Sequence, residues 1–327
     1  MTKRAEKRLK KKKTSVFTNN TNQDKTTEAV IKKKITNPFQ KLYLEHYKII
    51  LIIPFIFLLL AIAQISYQTA TTGDFINKDI TLKGGISLTI EIGEIDIIDL
   101  QSHLALEGHI TNVRNIYSGA RVIGTIIESD LDISDDEGID SLKESVRSYV
   151  PFENYSLEGV GAAISQSFFN QAMIALVFSF LLMGLIVTIT FKSFIPSLAV
   201  IAAAFSDIII TIAIVNLFGL TFSTASLAAL LMLIGYSVDT NILLTTRVLK
   251  RTEGTVLDRI ASAFKTGILM SCTTLVAISI ALFVASSGVI QQIMLILFIG
   301  ILVDQMNTWA QNTGILRWYL EKKGNKE

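Results

Sequence analysis

The sequence predicts a polytopic α-helical membrane protein with six transmembrane helices and one small α+β domain of the ferredoxin-like type. Half of its 327 residues are hydrophobic and the mean hydropathy is +0.49, well above the values of soluble domains. The apolar residues fall in blocks long enough to cross a bilayer, and one long polar segment separates the first two blocks. Together these observations define the fold class.

Six segments are predicted to span the membrane, because a bilayer core of about 30 Å needs about 20 apolar residues in a helix. They are residues 49–67, 172–190, 198–217, 225–244, 267–284 and 289–309. The first could also be a secretory signal peptide. However, 48 residues precede it and no small-residue cleavage site follows, which favours a retained helix.

The positions of Lys and Arg predict the orientation, since positive charge near the ends of spans stays cytoplasmic. Residues 1–48 carry 14 of the 30 basic residues, and the loop at 245–266 and the tail at 310–327 are also basic. The connections FGLT and ASSG carry none. Both termini are therefore predicted to be cytoplasmic in a multi-pass protein of the cell membrane, and residues 68–171 are predicted to form an extracytoplasmic domain.

This predicted domain is acidic and has no disulfide within the chain. It carries 17 acidic and 6 basic residues, a balance of −11, which repels anionic lipid headgroups. The only cysteine, Cys272, lies in the fifth span. The core must therefore come from packing, which about 100 residues can supply.

Strand and helix patterns alternate within the domain. ISLTIEI (86–92), HITNV (109–113) and ARVIGTIIES (120–129) are typical of strands, because they alternate or are rich in β-branched residues. Residues 96–107 and 136–150 place apolar side chains three and four apart, as helices do. A sheet covered on one side by two helices is the expected arrangement.

The first 48 residues are predicted to be a basic, disordered tail. KRAEKRLKKKK and TSVFTNNTNQDKTTEA contain almost no apolar residues and cannot form a core. We interpret the tail as a solvated segment that enforces the orientation. Contact of its lysines with anionic membrane lipid or with the RNA of a ribosome is the alternative.

Three carboxylates lie within the predicted spans: Asp207, Asp239 and Asp304. An ionised Asp at the centre of a lipid-facing helix costs at least about 2.5 to 3.5 kcal/mol, so each should face protein or water. The helical rise places all three between the bilayer centre and the cytoplasmic side. Two interpretations are open: a proton relay, or neutral acids that hydrogen-bond neighbouring helices.

The fourth span carries polar groups on two opposite faces. Gly235 and Asp239 share one face, and Ser237 and Asn241 share nearly the opposite face. Such a helix should be surrounded by protein. With only six spans, part of that protein should belong to another chain.

GYSVDTN (235–241), followed by TTRVLKR and preceded by LFGLTFSTASLAALLMLI and SDIIITIAIVNLFG, closely resembles the SecF family, the smaller of the paired SecD/SecF protein-export subunits. LKGG, FKSF, SCTT and IGILVD extend the resemblance over most of residues 70–310. The resemblance implies six spans with one external domain after the first, which is the layout that composition and charge predict independently.

The resemblance also implies a function. It implies a subunit, related to the resistance-nodulation-division superfamily, that acts with a SecD-like membrane subunit and a SecY-type channel to move secretory polypeptides, driven by protons. By this resemblance Asp239 is the leading candidate for the proton site, and Asp207 matches an acid that the family carries in its third span. Asp304 is the third candidate for proton transfer. The supporting positions are Gly235, Tyr236, Ser237, Thr240, Asn241, Arg247, Lys265 and Thr266.

Two positions depart from the bacterial pattern and resemble the archaeal branch. The bacterial motif Gly-Tyr-Ser-Val-Asn-Asp carries its acid one position later, where this chain has Thr240, and a one-residue shift turns the carboxylate by about 100°. The arginine of the bacterial fifth span falls at Lys265 or Thr266. Lys265 is close enough to the membrane rim to extend outward.

Two other functions stay open. A half-size exporter of lipid or small molecules predicts an apolar or aromatic external cavity, and a passive scaffold predicts that Asn substitutions of the aspartates are silent. No enzyme activity, cofactor or metal is predicted, because His46, His103 and His109 lie outside the spans without the spacing of a metal site. Asn154 begins a low-specificity glycosylation sequon.

Overall fold

The computed structural model describes residues 38–93, 95–119, 121–251 and 253–324 of the chain. The chain divides into two units, Met1–Ile49 and Ile50–Glu327, and the first is described only from Pro38. The disorder predicted for residues 1–37 lies outside the described residues. Residues 38–48, predicted to belong to the same tail, are instead the start of the first long helix.

The elements follow in chain order as α1 (Pro38–Thr72), α2 (Ile80–Lys83), β1 (Gly85–Ile90), α3 (Ile97–Leu106), β2 (Thr111–Ser118), β3 (Arg121–Ser129), α4 (Asp136–Tyr149), β4 (Tyr155–Val160), α5 (Ala162–Phe191), α6 (Phe194–Leu217), α7 (Thr224–Lys250), α8 (Val256–Val284), α9 (Gly288–Met306), a π-helix (Asn307–Asn312) and α10 (Thr313–Gly324). Six helical segments are long and apolar enough to cross a membrane, as predicted. The chain is a multi-pass membrane protein.

The six long helices differ in how much protein covers them. Buried residues make up 67% of the most apolar part of α6 and 50% of that of α7, but only 11% for α1 and for α5. Helices α6 and α7 therefore form the centre of the bundle. Helices α1, α5 and α8 present broad apolar faces that suit contact with lipid.

The inserted domain, β1 to β4 with α3 and α4, is a four-stranded antiparallel sheet in the order β2-β3-β1-β4. The succession β-α-β-β-α-β is that of a ferredoxin-like fold, as predicted. Leu88 and Ile127 face each other across β1 and β3 and pack with Leu100, Leu104 and Val146 of the two helices. Strand β4 was not predicted, because most of its side chains are exposed and show no apolar alternation.

The sheet continues into the membrane through a single residue. Strand β4 ends at Val160, Gly161 is the N-cap, and α5 starts at Ala162. Gly84 lies against this point, where a Cβ atom would come within 2.7 Å of the Ala162 Cα atom. The Gly-Gly pair of the LKGG motif therefore serves close backbone packing and a tight turn.

A second connection joins the segment after α1 to the turn between α6 and α7. The Asp79 amide donates to the Phe222 carbonyl at 3.0 Å, and the Phe222 amide donates to the Asn77 carbonyl at 2.6 Å. The Thr224 amide, at the start of α7, donates to the Thr81 hydroxyl at 3.0 Å. The segment that leads into the inserted domain is thus anchored to the central helices.

Buried charges lie at this junction. Arg114 of β2 pairs with Glu128 of β3 at 2.7 Å and also donates to the Thr221 hydroxyl at 3.4 Å. Burial raises the pKa of Glu128 above its ordinary value of 4.5, against the opposing effect of Arg114. Burial likewise raises the pKa of Asp79, although Thr81 hydrogen-bonds the carboxylate. Each ionised carboxylate therefore costs the folded state free energy at neutral pH.

The junction should be more stable in mild acid than at neutral pH. A carboxyl group whose pKa is raised by folding stabilises the fold below its unfolded pKa, and that stability is lost as pH rises through the folded pKa. We expect the thermal midpoint of the purified protein to fall as pH rises from about 4.5 to neutrality, and Glu128→Gln to reduce this dependence. Asp130→Asn is the control, since Asp130 forms an exposed ion pair with Lys83. An unchanged pH profile in Glu128→Gln would contradict the assignment.

Candidate functional site

The fold brings two of the three predicted aspartates together. Asp207 lies in the middle of α6 and Asp304 near the end of α9, and both are fully buried. Their side chains interact with each other. We call these two residues the carboxyl pair.

Polar groups from two other segments bind Asp207. The Ser237 hydroxyl on α7 donates to its Oδ2 atom at 2.5 Å, and the Asn307 amide in the π-helix donates to its Oδ1 atom at 2.7 Å. Ser237 also contacts Asp304. The face of α7 that carries Ser237 therefore meets the carboxyl pair.

Asp304 is held mainly by its own segment. The Thr308 hydroxyl donates to its Oδ1 atom at 3.0 Å, and the Gln305 amide donates to its Oδ2 atom at 3.1 Å. The same Gln305 amide donates to the Ser271 hydroxyl on α8 at 2.6 Å, and the Trp309 indole donates to the Gln305 carbonyl oxygen at 2.9 Å. Helix α8 is thereby connected to the pair.

The π-helix turns a series of amide side chains inward. Asn312 donates to the Asn241 side-chain oxygen at 2.6 Å, and Asn241 donates to the Ser237 hydroxyl at 3.2 Å. A continuous hydrogen-bonded chain therefore runs from Asp207 through α7 to the end of the π-helix. Such π segments often occur at functional sites.

Several buried polar atoms beside this chain have no protein partner among the described residues. They are Asn307 Oδ1, both polar atoms of the Gln311 side chain, Asn312 Oδ1, Thr211 Oγ1 and Thr245 Oγ1. A buried polar group without a hydrogen bond costs about 1 to 3 kcal/mol, and buried water commonly satisfies such groups.

Asp239 lies elsewhere. It is exposed on the outer surface of α7, on the same face as exposed Gly235, whereas Ser237 and Asn241 are fully buried. A Cβ atom at Gly235 would meet no other atom within 4 Å. The opposite faces predicted for α7 are therefore present, and the face with Asp239 is open to lipid or to another chain.

Of the remaining predicted positions, Tyr236 and Arg247 connect α7 to α8. The Tyr236 hydroxyl donates to the Thr274 hydroxyl, and the Thr240 hydroxyl donates to the Tyr236 carbonyl within its own helix. Arg247 donates to the Ser262 carbonyl at 2.6 Å, and the Thr266 hydroxyl donates to the same carbonyl at 3.3 Å. Lys265 is exposed. Within the described part of the chain, no Lys, Arg or His forms an ion pair with any of the three aspartates.

The polar residues of the π-helix were not among the predicted site residues. Asn307, Thr308, Gln311 and Asn312 stand in the segment DQMNTWAQNT, an unusual run of amides and hydroxyls at the end of an apolar span. That run was the available signal, because polar side chains in a span usually face protein.

The comparisons with known proteins agree with this architecture. The family model "Protein export membrane protein SecD/SecF, C-terminal" matches residues 141–322. The chain is 37% identical to protein-export membrane protein SecF of Methanolacinia petrolearia over 277 residues, 83% of this chain and 93% of that one. It is 36% identical to SecF of Pyrococcus furiosus, over 86% of this chain and 93% of the relative.

A solved structure has the same fold. The crystal structure of SecDF, a translocon-associated membrane protein from Thermus thermophilus, superposes with a TM-score of 0.70 at 21% identity. The match covers 86% of this chain but only 38% of that longer protein. The family model, the archaeal relatives and the six-helix fold with its inserted domain together establish that this chain belongs to the SecF family of protein-export membrane proteins.

Proposed function

We propose that this SecF-family chain acts with a SecD-like subunit and a SecY-type channel, and that proton movement through the carboxyl pair drives export of secretory polypeptides. The observation that carries the proposal is the buried contact between Asp207 and Asp304 with no cation paired to either among the described residues. Two carboxylates this close cannot both ionise cheaply, so the pair holds a proton that it can release.

The hydrogen-bonded series of side chains beside the carboxyl pair supplies a route for that proton. Ser237, Asn241 and Asn312 are hydrogen-bonded in series, and the unpartnered atoms of Gln311 and Thr245 lie along the same two segments. We infer that water hydrates these atoms and connects the pair to the side of the membrane where α7 ends. By the distribution of Lys and Arg, that side is the cytoplasm, with both termini.

The free energy released by a proton that crosses the membrane is large enough to drive a conformational cycle. One proton crossing 100 mV delivers about 2.3 kcal/mol, and each unit of pH difference adds about 1.4 kcal/mol. Such an amount shifts a two-state equilibrium strongly. Helices α6, α7 and α9 meet at the pair, and the segment that leads into the inserted domain is anchored to the turn between α6 and α7, so helix movement would reach the domain.

The exposed face of α7 supports a partner chain. Asp239 in contact with lipid would cost about 2.5 to 3.5 kcal/mol, which a protein partner with a hydrogen-bond donor would remove. Gly235 on the same face permits close approach of another helix. We assign this face, including Asp239, to the SecD-like subunit.

The partner assignment is tested by purifying the tagged chain from mildly solubilised native membranes and identifying bound proteins by mass spectrometry. We expect a SecD-like chain and channel subunits, at amounts well above those obtained with an unrelated tagged multi-pass protein. Recovery of the chain alone, or with a small-molecule efflux partner, would contradict the export assignment.

A further inference from the structure

We propose that the free edge of strand β2 binds an extended segment of the polypeptide being exported. This inference rests on the proposed function, because that function supplies the polypeptide. It concerns the inserted domain and is independent of the carboxyl pair.

The sheet register identifies which main-chain groups face the free edge. The Glu91 amide donates to the Asn154 carbonyl on the β4 side, so Ile90, its neighbour, faces β3. Thr125 and Ile127, opposite Ile90 and Leu88, therefore face β1 rather than β2. Their partners on β2, Asn115 and Val113, consequently direct their N–H and C=O groups away from the sheet.

A slot of about 500 Å³ runs beside this edge. Residues 112–117 of β2 form one side, and the turn at 219–221 and the first half of α9 form the other; Ile97, Ile126 and Phe283 also line it. Six residues of strand extend about 20 Å, so the slot is long enough for a short extended peptide.

The two ends of the edge are already occupied, whereas its middle is free. Gln101 donates to the Thr111 carbonyl at 3.0 Å, and Gln291 donates to the Tyr117 carbonyl. The main-chain groups of Val113 and Asn115 make no hydrogen bond to any other described residue. An added strand would pair with these groups and would need no particular sequence, which suits a protein that handles many substrates.

The charges in the slot favour a polypeptide over a lipid headgroup. Arg114 is the only basic residue among those that line it, and its guanidinium is paired with Glu128 at 2.7 Å. The Glu128 carboxylate therefore already balances the only positive charge of the lining. The other polar groups in the lining include the amides of Asn112, Asn115, Gln291 and Gln292, which bind peptide groups well.

Photo-crosslinking from two matched tyrosines tests the inference. Tyr117 lies on β2 in the slot with 47% of its surface exposed, and Tyr155 lies on the opposite edge strand, β4, with 43% exposed. Each is replaced by p-benzoylphenylalanine in the full-length chain in native membranes. A labelled secretory protein is then arrested in transit by a folded C-terminal domain.

We expect position 117 to crosslink to the arrested polypeptide at least several times more strongly than position 155, and only while the polypeptide is in transit. Equal crosslinking from both positions, or crosslinks from 117 to lipid or to another membrane subunit only, would overturn the proposal. Export is measured in parallel in cells with and without the chain. If export depends on the chain but position 117 gives no substrate crosslink, this inference alone fails; if export is independent of the chain, the proposed function fails.

Discussion

Asp207→Asn and Asp304→Asn are each expected to remove the gradient-dependent part of export while the protein remains folded. Asparagine preserves the size of the side chain and one acceptor for Ser237 or Thr308, but it cannot release a proton. A proton crossing 100 mV delivers about 2.3 kcal/mol, so loss of coupling should reduce the gradient-driven bias by up to about 50-fold. Export of a reporter is measured with and without an uncoupler.

Ser206→Ala provides the matched control. Ser206 is fully buried next to Asp207, but its hydroxyl donates only to the Ala202 carbonyl of its own helix. This variant should export normally and remain sensitive to the uncoupler. If both Asn variants also retain full uncoupler-sensitive export, Asp207 and Asp304 only connect helices and the carboxyl pair does not carry the proton.

Asp239→Asn is expected to leave the chain inserted and bound to its SecD-like partner but to remove gradient-dependent export. The amide still accepts and donates hydrogen bonds across the α7 face, so association should persist. The family resemblance makes Asp239 a second candidate for proton exchange besides the carboxyl pair, and the variant cannot exchange a proton there. Gly235→Leu should instead weaken the association with the partner. Its side chain extends into the face assigned to the partner and should reduce recovery of the partner at least about tenfold, a cost of about 1.4 kcal/mol.

Leu185→Ala on α5 is the control for Gly235→Leu, since Leu185 is exposed on a different helix. It should leave partner recovery unchanged. Undiminished gradient-dependent export in Asp239→Asn would exclude Asp239 from proton transfer and leave the carboxyl pair as the candidate.

Sequence patterns predicted the membrane helices and most of the inserted domain, because burial in lipid or in a core requires long or periodic apolar runs. Strand β4 was not predicted because it pairs through its main chain while its side chains stay exposed. The start of α1 at Pro38 was also missed, although Asn37 followed by Pro38 is a pair of residue types that commonly opens a helix.

The site was predicted in part. Helical rise placed the three aspartates at a similar depth, and helical rotation separated Asp239 from Ser237, but neither can show which helices are neighbours. The contact of Asp207 with Asp304 depends on how α6 packs against α9. The π-helix changes the rotation of every residue after Met306 and so directs Asn307 toward Asp207. A regular helical projection cannot anticipate that change.

Only Gly161 separates β4 from α5, so a rotation of the helix would displace the strand. Helix α5 has 30 residues, about 45 Å of rigid rod at the usual rise. If that rod pivoted by 10° about its far end, Gly161 and the attached strand would be displaced by about 8 Å. Strand β2, on the far side of the same sheet, would travel with them. Small angular changes of α5 would thus become displacements of nearly a nanometre in the domain.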